Sequence, residues 1–95
     1  MNSNKGNNCR TLTIRNQRGL HARASAKFVT TAGEFDATVQ VFKDGSSVCG
    51  TSIMGLMMLT AGIGEQITIV GEGNEKEKLL NALEALVSNK FGEEI

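Results

Sequence analysis

The 95-residue sequence lacks proline, tryptophan and tyrosine, and it contains one histidine and two cysteines. A single imidazole excludes a histidine-rich metal site, so we expect no resident metal ion. Cys9 and Cys49 lie far apart in the sequence and show no CxxC spacing. They predict two reduced thiols rather than a disulfide framework or a zinc module.

A surplus of charge is also missing, because ten basic residues are balanced by ten acidic residues. Proteins that bind phosphate backbones draw their affinity from a basic surplus, and single-strand binders also use aromatic platforms. The aromatic residues of this chain are four phenylalanines. A small nucleic-acid-binding domain is therefore the least favoured of three functions that we consider.

Long hydrophobic runs are absent as well. The longest apolar stretch, residues 53–63, is interrupted by glycine and threonine, and it is shorter than the roughly 18 to 20 residues that span a bilayer. Residues 1–8 are polar, lack the apolar core of a secretory signal, and predict a disordered tail. From the length and composition of residues 9–95 we expect a single domain, located in the cytoplasm and not inserted in a membrane.

Alternating apolar residues and turn signals predict the element order β-α-β-β-α-β-α. The strands are predicted at 10–15, 37–42, 46–50 and 66–70, with Asp44-Gly45 as a hairpin turn between the second and third. The helices are predicted at 22–32, from 51 or 52 to 58 or 59, and from 74 to about 90. This order predicts an α+β fold in which the helices pack on one face of an antiparallel or mixed sheet.

The helical patterns also predict caps and buried faces. Gly33 is predicted to end the first helix in a left-handed cap. Asn74 and Glu77 resemble a capping box at the start of the last helix. The predicted apolar stripes are Ala22, Ala26, Val29 and Ala32 in the first helix, with Phe28 on the flank of the stripe, and Leu79, Leu83, Leu86 and Val87 in the last.

His21 is predicted at the entrance of the first helix. The N–H groups of a first helical turn have no intrahelical partner and can receive an anion such as a phosphoryl group. A neutral imidazole is a competent nucleophile, and Arg23 can donate to phosphoryl oxygens. No carboxylate lies near His21 in the sequence, so a hydrolase of the Ser/His/Asp type is not indicated. The local pattern alone also fits a solvated helix cap.

Two segments carry a family resemblance. They are GLHAR at 19–23 continued by SAKFV at 25–29, and TSIMGLM at 51–57. In this order and separation they resemble the histidine-containing phosphocarrier protein (HPr) family of the bacterial phosphotransferase system, over about residues 11–91. The resemblance implies an open-faced β-sandwich, with a four-stranded antiparallel sheet and three helices on one face.

The resemblance also implies a function. The Nδ1 atom of His21 would accept a phosphoryl group, derived from phosphoenolpyruvate, from phosphorylated Enzyme I and pass it to a IIA protein or domain. Arg23 would stabilise the phosphoryl group. The protein would then be a carrier without a cofactor rather than an independent enzyme. The alternative is a regulatory module of a nitrogen-related phosphotransferase branch, which controls its targets by its phosphorylation state.

One position departs from the family pattern. Ala24 occupies the place where the family usually has proline. Proline would fix the backbone at the helix start and remove an N–H donor, whereas alanine keeps both the helix and the donor.

The second motif and the first helix suggest contacts with partners. Ser52 is predicted as a helix N-cap, and in this family the serine at that position is a regulatory phosphorylation site in bacteria that have the Ser kinase/phosphorylase. Met54 and Met57 are predicted to dock partners, with core packing as the alternative. Lys27, with Arg23, is predicted to contact acidic partner surfaces, with a merely solvated ammonium as the alternative.

Overall fold

A computed structural model describes residues 8–95, and residues 1–7, which contain most of the predicted tail, lie outside the described residues. The strands are β1 (Cys9–Thr13), β2 (Thr38–Lys43), β3 (Ser46–Cys49) and β4 (Gln66–Glu72). The helices are α1 (Ala22–Ala32), α2 (Ile53–Met58) and α3 (Lys76–Ser88), followed by a short turn at Lys90–Gly92. The predicted order of strands and helices is confirmed.

The four strands form one sheet in the order β1-β4-β2-β3, and every neighbouring pair is antiparallel. The predicted hairpin is confirmed, because Lys43 lies opposite Ser46. Asp44 and Gly45 between them have φ of 50° and 85°. Positive φ at both central residues is typical of the turn whose twist matches that of the flanking strands.

The two faces of the sheet differ in what covers them. One face carries the buried strand residues Leu12, Val39, Val41, Ile67 and Ile69, and the helices pack over it, with α3 on β1 and β4 and α1 against α2 and α3. The alternate positions form the opposite face, which carries mainly threonine, serine and glutamine and which none of the helices α1 to α3 covers. The open-faced α+β sandwich is therefore confirmed.

The buried face of α1 differs from the predicted stripe. The buried residues are Ala24, Ser25, Phe28 and Ala32, while Ala22 is exposed. The prediction for Ala22 is wrong because alanines occur around the helix and do not single out one face, whereas the ring of Phe28 does. The prediction of a left-handed cap is also wrong, since Gly33 ends the helix with a φ of −76°.

The start of α3 is another correction. Glu75 is the N-cap and makes no capping hydrogen bond with its side chain. The amide of Asn74 donates instead to a carboxylate oxygen of Asp36 at 2.9 Å, so the predicted capping box is wrong. The apolar stripe of α3 is confirmed, with Leu79, Leu83 and Val87 buried and Leu86 packed at the edge of the core.

The two cysteines lie on opposite edge strands of the sheet. Cys9 is opposite Val70, Val70 is opposite Gln40, and Gln40 is opposite Cys49, so the four residues form one row across the sheet. Both thiols are free, as predicted. Over residues 8–95, no helix combines the length and the apolar character needed to cross a membrane.

Candidate functional site

His21 is the N-cap residue of α1, and its side chain makes no capping hydrogen bond. The first intrahelical bond runs from the N–H of Ser25 to the carbonyl of His21 at 2.9 Å. The N–H groups of Ala22, Arg23 and Ala24 precede that bond, so they point out of the helix start without an intrahelical partner. Together with the helix dipole they favour an anion beside the imidazole.

The loop that leads to His21 is held against the loop after α2. The N–H of Leu20 donates to the carbonyl of Ala61 at 3.0 Å. Gly19 has a φ of +67°, and a Cβ at this position would overlap the carbonyl oxygen of Ala61. Only glycine accommodates both the left-handed backbone and the close approach, so this contact fixes where α1 and its imidazole begin.

Glu93 supplies a carboxylate that the sequence did not indicate. Its Oε2 atom lies 2.5 Å from Nε2 of His21, although the two residues are 72 positions apart. A carboxylate accepts hydrogen bonds, so it favours the tautomer with the proton on Nε2. That tautomer leaves a lone pair on Nδ1, the nitrogen that can act as the nucleophile.

The Glu93 carboxylate has a second partner. Asn16 is fully buried, and its Nδ2 donates to Oε1 of Glu93 at 3.0 Å and to the carbonyl of Gly19 at 2.9 Å. Burial acts to raise the pKa of Glu93, but hydrogen bonds from His21 and Asn16, with the charge of Arg18 and that of His21 when its imidazole is protonated, outweigh it and lower the pKa. The carboxylate is therefore held ionised beside the imidazole.

A left-handed turn brings Glu93 to the imidazole. Lys90, Phe91 and Gly92 all have positive φ, of 57°, 55° and 79°. The side chain of Phe91 is fully buried, and its carbonyl accepts a hydrogen bond from Nζ of Lys27 at 2.7 Å. The predicted docking residue Lys27 thus has an intramolecular contact that the sequence did not reveal.

A shallow depression beside this carboxylate is lined by both cationic and acidic residues. It has a volume of about 410 Å³ and is lined by Arg18, Arg23, Lys27 and residues 92–95, which include Glu93 and Glu94. Arg23 is exposed at its rim. A larger depression, of about 570 Å³, lies on the open face of the sheet, and it includes none of the predicted site residues. Three cationic side chains and two carboxylates therefore lie near His21.

The second predicted region, α2, lies beside α1. Ser52 is its N-cap, and the Oγ atom accepts a hydrogen bond from the N–H of Gly55 at 2.9 Å, so the predicted cap is confirmed. Leu56 is buried, whereas four neighbouring apolar side chains are exposed, which we call the apolar patch: Ile53, Met54, Met57 and Met58. Because α2 packs against α1, this patch lies on the same side of the sheet as His21.

Comparison with known proteins identifies the family of the chain. The family model for the PTS HPr component phosphorylation site matches residues 9–89. The phosphocarrier protein HPr of Cupriavidus necator is 48% identical over 84 residues, which cover 88% of this chain and 94% of that protein. The phosphocarrier protein NPr of Shewanella violacea is 42% identical over 84 residues, which cover 88% of this chain and 92% of that protein.

A solved structure gives the same result for the fold. The crystal structure of HPr-C-His from Thermoanaerobacter tengcongensis matches with a TM-score of 0.87 at 41% identity, and the match covers 92% of this chain and 98% of that one. From the family model, the relatives and the shared fold, the chain belongs to the HPr family of phosphocarrier proteins of the phosphotransferase system.

Proposed function

We propose that Nδ1 of His21 accepts a phosphoryl group from phosphorylated Enzyme I and passes it to a IIA protein or domain. The observation that carries this proposal is the contact of 2.5 Å between Nε2 of His21 and the carboxylate of Glu93. It supports Nδ1 as the nucleophile, because the carboxylate favours the tautomer in which Nδ1 has the lone pair.

The transfer step makes use of the surrounding charges. As the Nδ1–P bond forms, the bond between phosphorus and the donor breaks and its electron pair returns to the donor. The imidazole becomes positively charged, and the ionised Glu93 stabilises that charge through Nε2. The free N–H groups at the start of α1 and the guanidinium of Arg23 offset the negative charge on the phosphoryl oxygens. Transfer to the acceptor reverses these changes, so the protein is a carrier rather than an independent catalyst.

Two surfaces beside His21 support docking of a larger protein. Arg18, Arg23 and Lys27 contribute positive charge to the lining of the depression, and the apolar patch on α2 is exposed. A partner surface with an apolar centre and acidic groups beside it complements both features. Enzyme I and IIA proteins are proposed as those partners from membership of the family. A cytoplasmic location also follows only from the sequence and stays a prediction.

The regulatory alternative has its own support in the relative from Shewanella violacea, whose name is phosphocarrier protein NPr. In this alternative the same phosphorylated His21 changes the activity of a target rather than feeding transport. Phosphorylation of Ser52 by a Ser kinase/phosphorylase would add a further level of control. The two outputs differ in the acceptor, so incubation of the phosphorylated protein with IIA proteins of the sugar and nitrogen branches distinguishes them.

The experiment that tests the proposal is labelling with phosphoenolpyruvate and Enzyme I. The parent should gain one phosphate that is labile in acid and stable in base. His21→Ala should gain none, with an unchanged circular dichroism spectrum, and Gln17→Ala at a nearby exposed position should be labelled like the parent. Labelling of His21→Ala would overturn the assignment of the acceptor, and failure to label the parent would favour a function without phosphoryl transfer.

A further inference from the structure

The turn that carries Glu93 has an unfavourable backbone. Three consecutive residues, Lys90, Phe91 and Gly92, have left-handed φ, and the first two carry a Cβ. Residues other than glycine rarely adopt this conformation, and it persists only where the surroundings hold it in place. The position of Glu93 therefore depends on the contacts of this turn.

Contacts within the turn are supplemented by one from α1. The N–H groups of Gly92 and Glu93 donate to the carbonyls of Asn89 and Lys90, each at 2.9 Å. These two bonds are local and do not determine where the turn lies on the molecule. The buried ring of Phe91 and the bond from Asn16 to Glu93 attach the segment to the rest of the molecule. Lys27 attaches the backbone of the turn itself to α1, because it donates from Nζ to the carbonyl of Phe91 at 2.7 Å.

The ammonium lies over the middle of the turn. A Cβ added to Gly92 would lie 3.3 Å from Nζ of Lys27, so the ammonium covers Gly92 as well as the carbonyl of Phe91. The same helix, α1, begins at His21. One rigid element thus presents both the imidazole that Glu93 contacts and the ammonium that holds the turn before Glu93.

We propose that Lys27 is a positioning residue for His21, because its bond to the Phe91 carbonyl keeps the Glu93 carboxylate on Nε2. This inference rests on the proposed role of His21 as the acceptor. It differs from the docking role predicted for Lys27 from the sequence. Docking acts on the affinity for the partner, whereas positioning acts on the imidazole before any partner binds.

Loss of the ammonium has a specific chemical consequence. The Phe91 carbonyl then loses a charged donor, and the turn can relax away from α1. The proton of the neutral imidazole is then shared between Nε2 and Nδ1, so fewer molecules have the lone pair on Nδ1. We expect the rate of phosphoryl acceptance at saturating Enzyme I to fall by about tenfold, since misplacement of a positioning group reduces the rate more than binding.

The test uses the full chain without phosphate and measures the ¹⁵N chemical shifts of the His21 ring, which report the nitrogen that carries the proton. Lys27→Met retains an unbranched apolar side chain and removes the donor, so its ring signals should shift toward a mixture of tautomers. Lys27→Arg restores a charged donor and should return the signals toward those of the parent. Lys78→Met, at an exposed lysine of α3, is the matched control and should leave them unchanged.

A double variant identifies the route of the effect. If Lys27 acts through Glu93, Lys27→Met should change the ring signals of the parent but not those of Glu93→Gln. If the ring signals of Lys27→Met are unchanged and the KM of Enzyme I for this variant is higher than for the parent, the proposal is overturned and Lys27 is a docking residue. The ring signals are measured without any phosphoryl transfer. A negative result for Lys27 can therefore be distinguished from a negative result in the labelling test of His21.

Discussion

Asn16 and Glu93 are 77 positions apart in the sequence, and Nδ2 of Asn16 donates to Oε1 of Glu93 at 3.0 Å. The other carboxylate oxygen of Glu93 faces Nε2 of His21. The loop after β1 and the segment after α3 thus meet on one carboxylate, and each of its oxygens has its own partner. The orientation of the imidazole is consequently linked to the packing of both ends of the described chain.

The first prediction concerns the pH dependence of stability. Burial acts to raise the pKa of Glu93, yet hydrogen bonds from His21 and Asn16 lower it overall. A carboxyl whose pKa is lower in the folded than in the unfolded state stabilises the fold above the unfolded pKa, and this contribution is lost as the pH falls through the folded pKa. Urea unfolding should therefore show a larger stability difference between the parent and Glu93→Gln at neutral pH than at about pH 3.

The control for this prediction is Glu94→Gln, because Glu94 is the exposed neighbour of Glu93. Its stability relative to the parent should change less with pH. A difference between the parent and Glu93→Gln that is the same at both pH values would contradict the proposed linkage.

The second prediction compares two glycines with positive φ. Gly19→Ala and Gly45→Ala both place a Cβ on left-handed backbone, at φ of 67° and 85°, which costs about 1 to 2 kcal/mol. At Gly45 the added Cβ meets nothing within 4 Å, whereas at Gly19 it overlaps the Ala61 carbonyl. Thermal unfolding should show the larger loss for Gly19→Ala, and labelling of His21 should slow in that variant alone. Equal losses of stability would contradict the role of the Ala61 contact.

The third prediction concerns Arg23. Its guanidinium is exposed at the rim of the depression, and its planar donors match phosphoryl oxygens in a way that an ammonium does not. Arg23→Lys should slow phosphoryl transfer at an unchanged melting temperature. Arg15→Lys, at an exposed position that does not line the depression, is the matched control. Equal transfer rates for the parent and Arg23→Lys would remove Arg23 from the site.

The fourth prediction separates stability from docking at Ser52. Aspartate is also a good N-cap, so Ser52→Asp should keep α2, with stability within about 1 kcal/mol of the parent. The added negative charge lies beside the apolar patch and should weaken the complex with Enzyme I, so that labelling needs higher protein concentrations. Ser47→Asp adds the same charge on β3 and should be labelled like the parent. Unchanged labelling of Ser52→Asp would reduce Ser52 to a structural cap.

The sequence predicted the features that depend on local patterns. The turn at Asp44-Gly45 and the stripe through Leu79, Leu83 and Val87 are set by neighbours within a few positions, and both are confirmed. Caps were less predictable because a polar side chain has competing partners. The amide of Asn74 bonds to Asp36, a contact across 38 positions that no local pattern reveals.

Only part of the site was predicted, because some of its residues are placed by local patterns and others by contacts between distant segments. The position of His21 at a helix start follows from the change of periodicity at residue 22, and it is confirmed. Glu93 was missed because its position depends on the left-handed turn, and two of the three residues that form this turn, Lys90 and Phe91, are not glycine. The contact of Lys27 with Phe91 depends on the same turn, so the sequence predicted only a docking lysine.

The separation of Cys9 and Cys49 across the sheet affects how the protein reacts with oxidants and thiol reagents. Three strand spacings separate the two residues, about 14 Å, which is twice the largest Cα separation that a disulfide bridges. Air oxidation of the folded chain therefore links two molecules rather than closing a ring. Cys49 is the exposed thiol, and the hydrogen bond with Thr51 lowers its pKa. A maleimide dye should consequently attach first at Cys49, on the open face of the sheet and away from the apolar patch.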